Sequence, residues 1–276
     1  MARRGAAPRA IGFVGGGNMA AALMRGLLAT GMYRPDQLCA SDVDPKKRST
    51  LRRRFGVSVT ADNTDIVRGA KLIVLAVKPQ IIDQVLADLR AAIPPGRVFL
   101  SIAAGVTTAR LEAGLGAGQR VLRVMPNTPA LVGKGISVLV RGRHATAADA
   151  RLGLRVLRAV GAAVAVAEEG LLDAVTGLSG SGPAYVYLFA ESLIAGGIQA
   201  GLPAALATHL TLHTLSGAAA MLQDTGETPQ ALRAMVTSPG GTTVAGLEAL
   251  AARGFQDAIV AAVATATQRS RELGRA

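Results

Sequence analysis

The chain has 276 residues, half of them hydrophobic, with 33 Gly, eight aromatic side chains, no Trp and a single cysteine. That balance excludes a disordered, collagen-like or disulfide-stapled chain and leaves a globular protein of one large or two modest domains. The net charge of +12 is uneven: 25 of the 30 basic side chains, but only nine of the 18 acidic ones, precede residue 166. Such a polarity suits an anionic ligand, and it equally suits an Arg-rich solvated surface.

No apolar run reaches the ~18 residues that a spanning helix needs. The basic start, with Arg3, Arg4 and Arg9, leads into a Gly-rich turn rather than the apolar core of a signal peptide. Together with the lone Cys39, these features predict a soluble protein of the reducing cytoplasm.

Along the first part, short apolar runs at 10–14, 37–40, 57–59, 71–77, 97–103, 121–124 and 135–140 read as strands. They are apolar nearly throughout, as strands covered on both faces are. Segments with helical spacing lie between several of them, at 19–29, 45–55, 81–91 and 107–115. This alternation predicts a doubly wound, mostly parallel sheet, with an antiparallel edge added by the last strands. Beyond about residue 168 only helices are predicted, at 171–178, 183–200, 203–222, 229–236, 242–252 and 255–273. Several have Pro near the first turn, and Gly201 and Gly226 stand where two of them stop. The expected fold is therefore α/β, with a sheet domain over 1–168 and an all-helical domain over 169–276. The helices are apolar on more than one side, which predicts pairing with a second subunit.

The first strand runs into Gly15-Gly16-Gly17-Asn18-Met19-Ala20, a G-x-G-x-x-A turn between strand and helix. Gly15 permits the tight turn, Gly17 lets backbone approach a pyrophosphate, and Ala20 keeps helix and sheet close. In this position the motif predicts dinucleotide binding on a Rossmann-like sheet. Asp42 ends the second strand, where an acidic side chain bonds the ribose hydroxyls and favours NAD. Lys46, Lys47 and Arg48 follow at once and suit the 2′-phosphate of NADP, so both cofactors stay open. Asp44 before Pro45 is the expected helix cap.

Four further segments accompany this turn: Ala76-Val77-Lys78-Pro79-Gln80, Met125-Pro126-Asn127-Thr128-Pro129, the run from Asp173 through Ser179-Gly180-Ser181-Gly182-Pro183 to Tyr185, and Ser238-Pro239-Gly240-Gly241-Thr242-Thr243. In this order and spacing the chain resembles the pyrroline-5-carboxylate reductase family from Ile11 to about Leu273. The resemblance implies a Rossmann domain followed by a helical dimerisation domain. It also implies reduction of the cyclic imine 1-pyrroline-5-carboxylate to proline by NADPH or NADH. By resemblance, Val14, Gly15, Gly16, Gly17, Asn18 and Met19 hold the pyrophosphate. Asn63, Ala76, Val77, Lys78 and Pro79 line the dinucleotide, and Ala103 and Ala104 lie by the nicotinamide. Ser238, Gly240, Gly241, Thr242 and Thr243 form the substrate loop, with Thr243 nearest the substrate nitrogen. Asp42 departs from the neutral or basic residue of many members, which puts the family's NADPH preference in question.

The chemistry needs a holder for the substrate carboxylate and a partner for the ring nitrogen. Two glycines opening a helix bare backbone N–H groups for the first, and the Thr243 hydroxyl suits the second. The Ser179-Gly180-Ser181-Gly182-Pro183 stretch lacks the G-x-S-x-G spacing of a nucleophile elbow and reads as a tight turn capping the helix from Pro183. Glu169 and Asp173 read as solvated acids at a helix start. His209 and His213 are four apart, but without a third ligand they read as packed helix histidines, and no metal is expected. A 3-hydroxyacid-type dehydrogenase would need a lysine in the helical half, and none follows Lys134. A nucleic-acid-binding module would need aromatic platforms or a groove-binding motif, which are lacking. A nucleotide-sensing protein without turnover is the remaining alternative. The expected partners are a small-molecule substrate and further copies of the chain.

Overall fold

A computed structural model describes residues 9–275; Arg3 and Arg4 of the basic start lie outside them. Eight strands, β1 (Arg9–Val14), β2 (Leu38–Ser41), β3 (Ser58–Thr60), β4 (Ala70–Leu75), β5 (Val98–Ser101), β6 (Arg120–Pro126), β7 (Gly135–Arg141) and β8 (Gly161–Ala165), form one sheet. Its order is β3-β2-β1-β4-β5-β6-β7-β8. Strands β1 to β6 are mutually parallel, β7 runs antiparallel to β6, and β8 is parallel to β7. The first six strands have the doubly wound order 3-2-1-4-5-6, which reverses direction between β1 and β4.

The apolar strands are apolar because both faces are covered. Along β4, Leu72 and Val74 enter one core with Phe13, Leu100 and Leu122. The alternate residues Ile73 and Leu75 enter the other with Phe99 and Val121. Helix α1 (Asn18–Ala29) buries Leu23, Met24 and Leu27 in the first core, joined there by α2 (Pro45–Phe55) through Leu51 and Phe55. Helices α3 (Asn63–Gly69), α4 (Ile82–Arg90) and α5 (Thr108–Leu115) cover the second with Ile66, Leu86 and Leu111. Helix α6 (Ala147–Leu157) returns to the first core through Val156 and Leu157. Burial of each such side chain contributes about 1.5–3 kcal/mol. Asp44 caps α2 as expected, its Oδ1 accepting the Lys46 N–H at 2.8 Å.

Helix α7 (Leu171–Val175) continues into a π-helical turn, Thr176–Gly180, which takes up Ser179 and Gly180 of the expected tight turn. Leu172 is buried against Val138 and Val140. The chain then divides into two compact units: the first ends at Gly180 and regains the chain at Ala266, and the second is Ser181–Thr265. The second unit holds α8 (Gly182–Gln199), α9 (Ala204–Asp224), α10 (Pro229–Met235), α11 (Thr242–Ala251) and the start of α12 (Phe255–Arg275). Pro lies in the first turn of α8 and α10, and Gly201 and Gly226 take positive φ just past α8 and α9. The helices α8, α10 and α11 have no fully buried residue. No helix among the described residues is long and apolar enough to cross a membrane.

Candidate functional site

The C-terminal ends of β1, β2, β4 and β5 meet where the strand order reverses, the place where sheets of this kind bind ligands. Backbone bonds knit the edge together: Gly15 N–H donates to Ser41 O at 2.9 Å and Ala76 N–H to Val14 O at 2.8 Å. Gly15 has φ +97°, and a Cβ there would lie 2.6 Å from Ala76 O, so both conformation and close approach demand glycine. A Cβ on Gly17 would meet nothing within 4 Å. Gly17 also opens α1 without any side-chain cap, so the first N–H groups of the helix face that open space. Free donors at a positive helix end beside a bare glycine are what a pyrophosphate requires, so these residues fit a dinucleotide.

Asp42 reaches the glycine turn from β2. Its Oδ2 accepts the Gly16 N–H at 2.9 Å and its Oδ1 accepts the Asp44 N–H at 2.9 Å. Lys47 Nζ stands 3.6 Å away. The expected ribose acceptor thus points into the turn, because two backbone donors are nearer than any solvent-side partner. Beside it, Ser41 donates its hydroxyl to Asn63 Oδ1 at 2.7 Å, placing Asn63 on the same edge. A cleft between α1 and α2 is lined by Gly16, Gly17, Asn18, Lys46, Lys47 and Arg54, which makes it cationic. Val77, Lys78 and Pro79 follow β4, with Lys78 exposed and Pro79 starting a short 3-10 turn, Pro79–Ile81.

After β5, Ala103 is buried and its N–H donates to Ser101 Oγ at 3.3 Å, while Ala104 is exposed. This loop is tied down by a residue that sequence reasoning left to solvent. Glu169 Oε1 accepts the Thr108 N–H at 2.7 Å and Arg123 Nη1 at 2.8 Å, and Oε2 accepts the Thr108 hydroxyl at 2.6 Å. Burial alone raises the Glu169 carboxyl; the bonds from Thr108 and the Arg123 charge outweigh it and hold the group below the usual glutamate range. Asp173 is likewise engaged, accepting the Ser270 hydroxyl at 2.7 Å. Neither acid is the solvated helix-start residue that the sequence predicts. Asn127 Oδ1 accepts the Ile136 N–H at 2.9 Å, and its amide donates to Ser179 Oγ at 3.3 Å. A partner 61 residues away leaves no local pattern, so only the acidity of Glu169 was visible beforehand.

Residues 238–243 belong to the second unit. Gly240 has φ +68°, and the Gly241 N–H turns back to Ser238 O at 3.0 Å. Gly241 is the N-cap of α11 and has no side chain to cap it, so the N–H groups of Thr242 and Thr243 stay available at the helix head. Thr242 is exposed and Thr243 half-buried. On α9, His209 and His213 are exposed and pack edge to face on each other, ring centroids 4.4 Å apart, rather than within a core. Among the described residues no three of His, Cys, Asp and Glu gather as a metal site would require.

A doubly wound sheet whose glycine turn fits a pyrophosphate defines the class: a dinucleotide-binding protein. Residues 10–105 match the family described as NADP oxidoreductase, coenzyme F420-dependent, and residues 169–273 match the pyrroline-5-carboxylate reductase dimerisation family. A pyrroline-5-carboxylate reductase of Methanosarcina acetivorans is 42% identical over 265 residues, covering 96% of this chain and 98% of its own. The solved pyrroline-5-carboxylate reductase of Coxiella burnetii superposes with a TM-score of 0.91 at 36% identity, over 96% of this chain and 98% of that one. A pyrroline carboxylate reductase of Plasmodium falciparum, solved with NADP bound, gives 0.87 at 30% identity, again over 96% and 98%. The chain belongs to the pyrroline-5-carboxylate reductase family.

Proposed function

We propose that this protein reduces 1-pyrroline-5-carboxylate to L-proline with NADPH or NADH, the last step of proline biosynthesis. The observation that carries this reading is the full-length kinship: at 42% identity over 96% of the chain, the dinucleotide-binding and helical parts are inherited together. When bound, the reduced dinucleotide supplies a hydride to the C=N carbon. Val14, Gly15, Gly16, Gly17, Asn18 and Met19 receive its pyrophosphate, and Ala76, Val77, Lys78 and Pro79 border it beside Asn63. The loop of Ala103 and Ala104, braced by Ser101 and Glu169, lies against the nicotinamide.

In the second unit, the backbone donors of Thr242 and Thr243 at the head of α11 hold the substrate carboxylate, with Ser238, Gly240 and Gly241 beside them. The Thr243 hydroxyl stands by the ring nitrogen and donates to the lone pair that forms there as the hydride reaches carbon, a bond that strengthens towards the product. A protonated imine is already electrophilic, so the step needs no strong acid. Residues 169–276 act as the dimerisation and substrate domain after a dinucleotide domain of 1–168. The protein works in the cytoplasm as a homodimer or an assembly of dimers. Exposed apolar side chains on the second unit support this, among them Leu188 at 63%, Met235 at 72% and Val260 at 69%.

Thr243→Val tests the assignment, because it keeps shape and removes the hydroxyl. Turnover of pyrroline-5-carboxylate is expected to fall about 10- to 1000-fold, the range for one transition-state hydrogen bond. Dinucleotide affinity stays unchanged. Parental turnover in this variant would overturn the role of Thr243.

A further inference from the structure

The acidic residue at the end of β2 already has partners within the protein. The Asp42 side chain is 8% exposed, and both its oxygens are engaged. One holds the Gly16 N–H inside the phosphate turn; the other holds the Asp44 N–H at the start of α2. The Lys47 ammonium at 3.6 Å further offsets its charge. The segment behind it is fixed as well, since Arg48 Nη1 donates to the carbonyls of Asp42 at 2.7 Å and Val43 at 2.9 Å. Asp44 is committed to capping α2. By contrast, Lys46 is exposed, its ammonium has no partner among the described residues, and it lines the cleft beside Gly16, Gly17 and Asn18 with Lys47 and Arg54.

We propose that Asp42 is a positioning residue that braces the phosphate-binding turn. The choice between dinucleotides then falls to Lys46 and Lys47, which favour the one bearing a 2′-phosphate. A carboxylate already bound to two backbone N–H groups and an ammonium neither needs the ribose hydroxyls nor strongly repels a nearby phosphate. Two ammonium groups at the mouth of the same cleft attract that phosphate. This inference rests on the dinucleotide reading of the glycine turn.

Calorimetric binding of NADH, NADPH, 5′-AMP and 2′,5′-ADP, without substrate or turnover, tests it. Asparagine at position 42 can accept one of the two N–H bonds but not both. Asp42→Asn is therefore expected to weaken NADH and NADPH alike, by about threefold to tenfold, with their ratio held within about twofold. Replacing exposed Lys46, as Lys46→Ala, leaves every contact of Asp42 untouched, including the Lys47 ammonium. It is expected to weaken 2′,5′-ADP by at least about fivefold and to leave 5′-AMP unchanged. An Asp42→Asn protein that loses NADH and gains NADPH, moving the ratio by about tenfold or more, would overturn the inference alone, as would a lysine variant with unchanged 2′,5′-ADP affinity. A parental chain that binds neither dinucleotide would instead remove the reading beneath it.

Discussion

Two side chains, one missing and one charged, set the character of the cofactor half. At Gly17 the missing one matters: nothing in the fold occupies the volume where its Cβ would stand. Gly17→Val therefore places a branched side chain in ligand space without disturbing a protein contact. Dinucleotide affinity should fall at least about tenfold, or about 1.4 kcal/mol, with an unchanged circular dichroism spectrum. Unaltered calorimetric affinity would contradict the placement. Glu169 is the charged one. Its folded pKa lies below the ordinary value near 4.5, so the charge stabilises the fold fully above that value. The contribution is lost as pH falls through the depressed folded pKa. Glu169→Gln should cost about 1.5–3 kcal/mol at pH 7, because Arg123, 8% exposed, loses its partner. The acid arm of its stability profile should also be flatter than the parental one. Denaturant titrations across pH that gave parallel acid arms would show that the carboxylate is not held as the structure has it.

Elements differ in how much of themselves they write into sequence. The central strands β1, β4 and β5 are continuous apolar runs because both cores need them, and their faces alternate between Phe13 on one side and Phe99 on the other. Phe99→Ala should cost about 3–5 kcal/mol in denaturant unfolding, since its ring is fully buried; a cost below about 1 kcal/mol would mean the second core collapses around the gap. The glycine turn was readable for a different reason: its geometry is local, and spacing alone records it. Strand β8 was not readable, because Gly161-Ala162-Ala163-Val164-Ala165 is a small-residue edge strand with one buried side chain. Helix α3 is seven residues long, too short for a clear period. Helix α6 hides its apolar stripe among Arg151, Arg155 and several alanines. The 238–243 run was readable as a glycine-rich helix head, whereas the Glu169, Thr108 and Arg123 cluster joins three distant segments and has no local mark. The Ser and Gly residues from Ser179 to Pro183 suit a tight turn, but the helix before them runs on into a π-helical turn, Thr176–Gly180, that takes up the first two.

For the molecule as a whole, the second unit leaves many large apolar side chains open, among them Leu188, Met235 and Val260, as a surface meant for a partner does. An assembly held together by these helices should show a melting temperature that rises with protein concentration. Light scattering should find no active species at the subunit mass of 28.0 kDa. An active monomer at micromolar concentration would contradict that expectation. The charge asymmetry fits the same division of labour, with a basic first part where an anionic cofactor is received and a mildly acidic remainder. All of this converges on one reaction. The direct measurement is oxidation of NADPH and of NADH, assayed separately with 1-pyrroline-5-carboxylate, while proline formation is followed in the same vessel. The expected result is one proline formed per dinucleotide oxidised, with NADPH giving the higher kcat/KM. Dinucleotide binding without any imine-dependent oxidation would contradict the central claim and leave a nucleotide-sensing protein in its place.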